Sequence, residues 1–522
     1  MNLAIGQYDA PQLQKQPILR LDPYRSNIAV FGAPMSGKTT FVKTLLVRLH
    51  DHMEQLPRED IYIIDFGGNI GQYRKLPNVC ACFDNSNEEN IKRIFRTLEK
   101  RLKENADQLG SQNYYTVVTK TPQKAPTHIF LIIENINAFL SDERYEFYQD
   151  KLIRFCRDGL SNGLTVVITA NETAGLNRII PNFGTKFAFE MPGDSYYDIF
   201  GTKVNRPMRL PGRGVTNLDA ATYEFQCFMP FPTKEDDEAI AKLVAATAKY
   251  SNPHLMKAFE GDLTWDNYAD YCAEDSSSGS GENQIRVGLD YYEHKPVAVN
   301  IDESRVIAIY GKRKFGKSNL LHIMLEGIKK SRPEAQFIYF DDGRKQLEPF
   351  VDPEKCYISD HYKYYTDAEI LKTDLEEAGY ITAIGRRNPA APEPETKETP
   401  FTVFVMQSRM LFRGVGTAPA LLRMLLTKDA KKQDFMLIFS DVPNISEHDT
   451  RRIFSDNVEL AFLLDNIGDF LADKSEKTPF GAMDARELKT EYAKCSIGDG
   501  YVYDVEADEL QKLKFIKAVK ES

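Results

Sequence analysis

Short, nearly uninterrupted apolar runs punctuate the chain. Each is followed by a turn and then by a longer stretch whose apolar residues recur every three or four positions. The run SNIAVFG leads through APMSGKTT into FVKTLLVRLH, and much later SRVIAIYG leads through KRKFGKS into NLLHIMLEGI. Apolar runs without polar alternation predict strands covered on both faces, and the helical period predicts amphipathic helices. A strand ending in an acid comes next, IYIIDFGG through Asp65 and FIYFDDGR through Asp341. A third pair follows, HIFLIIEN and FTVFVMQS, and then helix and strand return as LIRFCRDGLSNGLTVVITAN and LLRMLLTKDAKKQDFMLIFSD. Each series closes on a glycine-bracketed turn, Gly212-Arg213-Gly214 or Gly498-Asp499-Gly500. Strands alternating with helices imply βαβ units, so the fold class is α/β, with mostly parallel sheets and helices on both faces.

The order of these signals is the same twice over, which marks an internal tandem. Residues 273–284, AEDSSSGSGENQ, cannot bury apolar surface and read as a flexible linker. The expected organisation is a first module over 1–272, the Ser/Gly-rich acidic linker over 273–284, and a second, degenerate module over 285–522.

The composition narrows the function without deciding it. The chain has 522 residues with 42% hydrophobic and 27% charged positions, enough for ordinary globular cores. Its formal net charge of −10 disfavours a general nucleic-acid coat, which needs a basic surface. The seven cysteines are scattered, which suggests reduced thiols and a cytosolic compartment, and Cys80 and Cys82 have no second Cys/His pair at a zinc spacing. No apolar run is long enough to cross a bilayer, so the chain reads as soluble.

Chemistry enters with the two turns after the leading strands. Gly32-Ala33-Pro34-Met35-Ser36-Gly37-Lys38-Thr39, followed by Thr40, and Gly311-Lys312-Arg313-Lys314-Phe315-Gly316-Lys317-Ser318, followed by Asn319, both satisfy G-x-x-x-x-G-K-[ST]. Glycines let backbone N–H groups close around phosphate oxygens, and the next helix adds the positive end of its dipole. Lys38 and Lys317 would neutralise the β- and γ-phosphates of ATP, and the Thr39 and Ser318 hydroxyls would ligate Mg²⁺. Two tandem P-loop NTPase domains are therefore expected.

Turnover needs more than a loop: an acid at the end of a buried strand for Mg²⁺, and a neighbour that orients the attacking water. In the first half that strand ends in Glu134-Asn135, which supplies the metal's acid but an amide beside it. In the second half it ends in Gln407-Ser408, with no acid. A competing register would take Asp441 as the second acid, but the repeat aligns Asp441 with Asn171. The second site is expected to bind nucleotide poorly or without turnover, and the first to hydrolyse slowly. Arg154, on the helix between the third and fourth strands, is the candidate arginine supplied in trans to a neighbouring subunit's γ-phosphate.

These residues resemble the FtsK/SpoIIIE-type P-loop ATPases, and within them the EssC/EccC-type type VII secretion ATPases. The resemblance rests on the tandem itself, on P-I-L-R-L-D before the first loop, on G-R-G with Y-E-F-Q from Gly212 to Gln226, and on I-R-V-G-L-D-Y from Ile285 to Tyr291. It implies RecA/FtsK-like modules corresponding to the last two motors of a three-motor chain, at the cytoplasmic face of a bacterial membrane. Secreted helical proteins of the WXG and LXG types are then its substrates, with the terminal module implicated in recognising them. An upstream membrane-anchored motor and other secretion-system subunits are its partners, in a homo-hexameric full assembly. The rival reading is an FtsK-like DNA-translocating ring ATPase; the acidic charge counts against nucleic acid as a partner.

Overall fold

The computed structural model describes residues 2–271, apart from 56, 193–194, 219–220, 233–235, 251 and 260. It also describes 283–518, apart from 352–361, 382–400, 413–415, 427–434, 443–447, 466–494 and 508. The chain divides into two compact units, Met1–Ala258 and Phe259–Ser522.

The first unit is built on ten described strands: β1 (Leu3–Tyr8), β2 (Ile18–Leu21), β3 (Ile28–Phe31), β4 (Glu59–Asp65), β5 (Val79–Asp84), β6 (His128–Glu134), β7 (Leu164–Ala170), β8 (Thr185–Ala188), β9 (Arg213–Leu218) and β10 (Ala221–Cys227). They form one sheet in the order β2-β1-β10-β9-β8-β3-β7-β6-β4-β5. From β8 to β5 all pairs are parallel; β9, β10, β1 and β2 extend the sheet in antiparallel fashion. β4, β6 and β7 are buried at every position, the condition their unbroken apolar sequences require. Successive side chains point to opposite faces, so Ile129, Leu131 and Ile133 enter one core and Phe130 and Ile132 the other. The helix Lys38–Asp51 covers one face through Phe41, Leu45 and Leu49, and helices Glu88–Leu109 and Glu146–Asp158 cover the other through Ile91, Phe95, Leu98 and Leu152.

The second unit repeats the plan with β11 (Gln284–Asp290), β12 (Pro296–Asn300), β13 (Val306–Tyr310), β14 (Gln336–Asp341), β15 (Tyr362–Tyr365), β16 (Thr402–Gln407), β17 (Phe435–Phe439), β18 (Leu460–Leu463), β19 (Asp499–Asp504) and β20 (Glu509–Phe515). Their order, β12-β11-β20-β19-β18-β13-β17-β16-β14-β15, is the first sheet's with ten added to every label. The strand pairings align β17 with β7 so that Ile438 takes the place of Val167, which sets Asp441 at the place of Ala170, one residue short of the Asn171 expected from the repeat.

The boundary differs from the sequence expectation. Phe259 packs against His294, with ring centroids 4.4 Å apart, Leu263 bridges to Ile516, and Tyr268 is buried in the same core. Phe259, Leu263 and Tyr268 thus belong to the second unit, and Gln284 already opens β11 rather than ending a linker. The linker expected over 273–284 lies outside the described residues as far as 282. Among the described residues no helix is long and apolar enough to cross a membrane.

Candidate functional site

In the first unit the parallel strands deliver their carboxyl ends to one edge of the sheet, where the connection from β3 to the helix Lys38–Asp51 lies. The connection is pinned by its neighbours: Gly32 N donates to Ala170 O at 3.1 Å, and Ala33 N to Glu190 O at 2.7 Å. Met35 takes the left-handed conformation at φ 64° and is 95% exposed, and Gly37 sits at φ 120°, so the loop bends back before the helix begins. Gly37 also lies against the Gly212 turn: a Cβ on it would come within 2.8 Å of the Gly212 backbone, and Gly212 N donates to Ser36 O at 2.9 Å. The glycine-bracketed turn noticed in the sequence is thus a buttress of the loop, a contact across far-separated residues that no local pattern reveals.

Lys38 folds back over the loop and donates to Gly32 O at 2.5 Å and Ala33 O at 2.8 Å. Thr39 Oγ1 donates to Glu134 Oε1 at 2.5 Å, which joins the first turn of the helix to the end of β6. Burial pushes the Glu134 carboxyl up to about 7; nearby Asp65 pushes the same way, against the Thr39 hydrogen bond and the Lys38 charge. Burial also lowers the affinity of Lys38 for its proton, with Glu134 opposing. Asp65 pairs with Glu134 across β4 and β6, and its carboxylate accepts from the backbone of Gly68 at 2.7 Å, Gly67 at 3.1 Å and Ile70 at 3.0 Å. These donors fix Asp65 as a loop organiser beneath Glu134.

Asn135 adopts the left-handed conformation at φ 62° and ψ 63°, its N–H donating to Thr169 Oγ1 at 2.8 Å. Its side-chain oxygen accepts from Asn171 Nδ2 at 3.3 Å. A left-handed position favours Asn or Asp over Glu, which gives a conformational reason for the amide there. Arg154 is not brought to this edge. Its helix ends where Cys156 O accepts from Asn27 Nδ2 at 2.7 Å, and Asn27 precedes β3, so Arg154 stands at the opposite end of the sheet, 60% exposed and 3.9 Å from Glu99. Thr40 stays in the helix's first turn, its carbonyl accepting from Thr44 Oγ1 at 2.9 Å.

The second loop has the same backbone form, with Lys314 at φ 70° and Gly316 at φ 99° in the places of Met35 and Gly37. Lys317 donates to Gly311 O at 2.5 Å and Lys312 O at 2.9 Å. The rest diverges. Phe315 packs on the apolar core instead of facing a ligand, and Lys312 pairs with Asp465 at 3.0 Å, while Arg313 and Ser318 are exposed. Asn319 is turned away: its amide nitrogen donates to Ile516 O and its oxygen accepts from Ala518 N, both at 2.8 Å, so it does not face the loop. At Glu134's place stands Gln407, hydrogen-bonded to Gln346 and accepting from Ser440 Oγ at 3.1 Å. A carboxylate does stand at the loop lysine: Asp441 Oδ1 lies 3.3 Å from Lys317 Nζ. Sequence reasoning set Asp441 aside because the repeat placed it one strand away from Glu134. The register differs from that expectation by one residue, with Asp441 at the place of Ala170 instead of Asn171, and the strand lies beside β13, so the side chain reaches the lysine.

Residues 7–180 match the model of the FtsK/SpoIIIE family. The chain carries an FtsK/SpoIIIE domain. It is 26% identical over 376 residues to the ESX secretion system protein EccC of Thermomonospora curvata, a match covering 67% of this chain and 27% of that protein. The type VII secretion system protein EssC of Staphylococcus aureus strain MRSA252 is 21% identical, with 69% of this chain and 25% of the relative covered. The chain thus spans about a quarter of the length of the curated relatives it matches. Among solved structures, EssC ATPases 2 and 3 from Geobacillus thermodenitrificans superpose with a TM-score of 0.70 at 20% identity, covering 99% of this chain and 96% of that one. EccC ATPases 2 and 3 from Thermomonospora curvata, in complex with a signal sequence peptide, superpose with a TM-score of 0.63 at 20% identity, covering 99% and 93%. Both units therefore have the fold of tandem secretion ATPase modules.

An FtsK/SpoIIIE domain implies a nucleotide, and the first loop fits one. The buried Ser36 Oγ and Glu134 Oε2 have no hydrogen-bond partner in the protein, and Lys38 has a third N–H beyond the two donated to the loop. Lys38 and the loop N–H groups would hold phosphates, and Thr39 and Glu134 would hold Mg²⁺, whose bound form neutralises charge between the β- and γ-phosphates.

Proposed function

We propose that this chain comprises two ATP-binding modules of a type VII protein-secretion motor. The first module binds ATP·Mg²⁺ through residues 32–40 with Thr39 and Glu134 on the metal, and hydrolyses it slowly. The second holds nucleotide weakly or without turnover, and takes part in recognising small helical export substrates of the WXG and LXG types. The observation that carries the reading is the joining of Lys38, Thr39 and Glu134 at one sheet edge, in a tandem with the strand order repeated and the fold of EssC ATPases 2 and 3. Slow turnover is supported by Asn135, an amide where a water-orienting carboxylate is wanted, and by Arg154 standing at the opposite end of the sheet from Glu134. Assignment of substrate recognition to the second module rests on the resemblance, and one relative was solved with a signal sequence peptide. The working location is the cytoplasmic face of the cell membrane, beside an upstream membrane-anchored motor and other secretion subunits, in a homo-hexamer, where Arg154 acts on a neighbouring subunit.

The test is fluorescence anisotropy of labelled C-terminal peptides from several cognate secreted helical proteins, titrated with the full chain. Saturable binding by at least one, competed by its unlabelled form, is expected. Failure of all of them overturns the substrate reading.

A further inference from the structure

The two P-loop lysines differ in one respect. An ammonium has three protons to donate. Lys38 gives two to the carbonyls of Gly32 and Ala33. Lys317 gives two to the carbonyls of Gly311 and Lys312, and its third direction meets Asp441 at 3.3 Å. Asp441 is placed by backbone on both sides: Ser440 N donates to Met406 O at 2.9 Å, and Val442 N donates to Ile309 O at 3.2 Å. That residue is fastened between β16 and β13, and Arg409 stands 3.7 Å from its other oxygen. At the matching place in the first unit is Ala170, whose side chain carries neither charge nor polar atom.

A P-loop lysine meets the β- and γ-phosphates, so an acid on its third proton stands where a terminal phosphate oxygen would go. We propose that Asp441 makes the second loop selective for a nucleoside diphosphate over a triphosphate, acting as a built-in anion in place of the γ-phosphate. The exposed Lys312, Arg313 and Lys314 still draw phosphate to the loop, while a γ-phosphate must displace Asp441 from Lys317 and then face it as a like charge. In the first loop Ala170 takes that place, and beyond its two loop carbonyls Lys38 keeps a third proton for a triphosphate. The two modules would then read different states of the same nucleotide pool.

This inference rests on the reading that the second loop holds nucleotide at all, and the experiment separates the two. The full chain with Lys38→Ala, which silences the first loop, is titrated by calorimetry with Mg·ADP and with a Mg-bound non-hydrolysable ATP analogue. Circular dichroism and thermal melting verify folding. Binding of ADP at least about tenfold tighter than the triphosphate is expected. Adding Asp441→Asn should abolish or reverse that preference, and adding Lys317→Ala should remove the binding. Triphosphate bound as tightly as ADP with Asp441 present, or an ADP preference that survives Asp441→Asn, overturns the inference and leaves the nucleotide reading standing. Binding of neither nucleotide overturns both.

Discussion

At the scale of single residues, the proposed nucleotide chemistry rests on the two loop lysines. On the wild-type background Lys38→Ala should lower ATP·Mg²⁺ affinity of the whole chain by at least about tenfold, because a charge-assisted phosphate contact is lost. Lys317→Ala should cost less, since its charge is already engaged by Asp441. Calorimetry on both variants checks the order. Asn135 offers a second residue-level test. Steady-state phosphate release by the wild type should be near background, and Asn135→Asp should raise it, because Asp tolerates the left-handed backbone and supplies a carboxylate. Asn135→Glu should lower stability by about 1 kcal/mol from backbone strain and raise turnover less. A brisk wild-type rate abolished by Lys38→Ala would overturn this account of the site.

Elements carry the next level of control. Glu59 and His128 are register partners at the start of β4 and β6, far from the loop edge, and both are buried. Burial pushes the Glu59 carboxyl up to about 8, and Tyr24 OH donates to it at 2.6 Å. A carboxyl raised in the fold contributes stability that is complete below its unfolded value of 4.5 and is lost as pH rises toward 8. His128 acts in the opposite sense, because burial lowers it to about 3, so its contribution falls away as pH drops below 6.5. Glu59→Gln keeps the acceptor for Tyr24 and should raise stability at pH 8 by about 2–4 kcal/mol relative to pH 4.5. Urea midpoints across that range measure it; parallel curves for wild type and variant would refute the buried-carboxyl account.

The loops themselves differ as elements. Gly37 combines φ 120° with a missing Cβ that would strike the Gly212 turn at 2.8 Å, whereas Gly316, at φ 99°, has open space around its Cβ direction. Gly37→Ala should therefore cost roughly 2–4 kcal/mol by strain plus clash, and Gly316→Ala only about 1 kcal/mol by strain. Differential melting of the two variants gives the comparison, and equal losses would mean that the Gly212 turn yields.

On the scale of the whole molecule, the division into units governs how the chain can be cut. A second unit started at residue 285 leaves out Phe259, Leu263 and Tyr268, which pack into its core. Started at residue 259, it should be more stable by several kcal/mol, at about 1.5–3 kcal/mol for each large apolar side chain buried. Chemical denaturation of both fragments tests this, and indistinguishable midpoints would show that the segment contributes nothing.

The repeat, the form of the two glycine-rich loops, the buried parallel strands and the place of Glu134 at a strand end were legible in the sequence because each is a local pattern. Apolar runs report burial on both faces, and glycine spacing reports a phosphate-sized turn. The ends of residues 259–271 were not legible, because their partners Ile516 and His294 lie far along the chain. Arg154 could be assigned to a helix but not to an end of the sheet, since helix length and return direction fix that only in three dimensions. Asp441 shows the same limit at the site. The repeat placed it at the end of the right strand but one residue off, at Asn171 instead of Ala170, and its approach to Lys317 depends on β17 lying next to β13, an adjacency made by strand order rather than by sequence order. Sequence alone determined which residues stand at strand ends; the sheet decided which of those ends meet, because side chains separated by a hundred residues interact only once backbone hydrogen bonds have set their strands side by side.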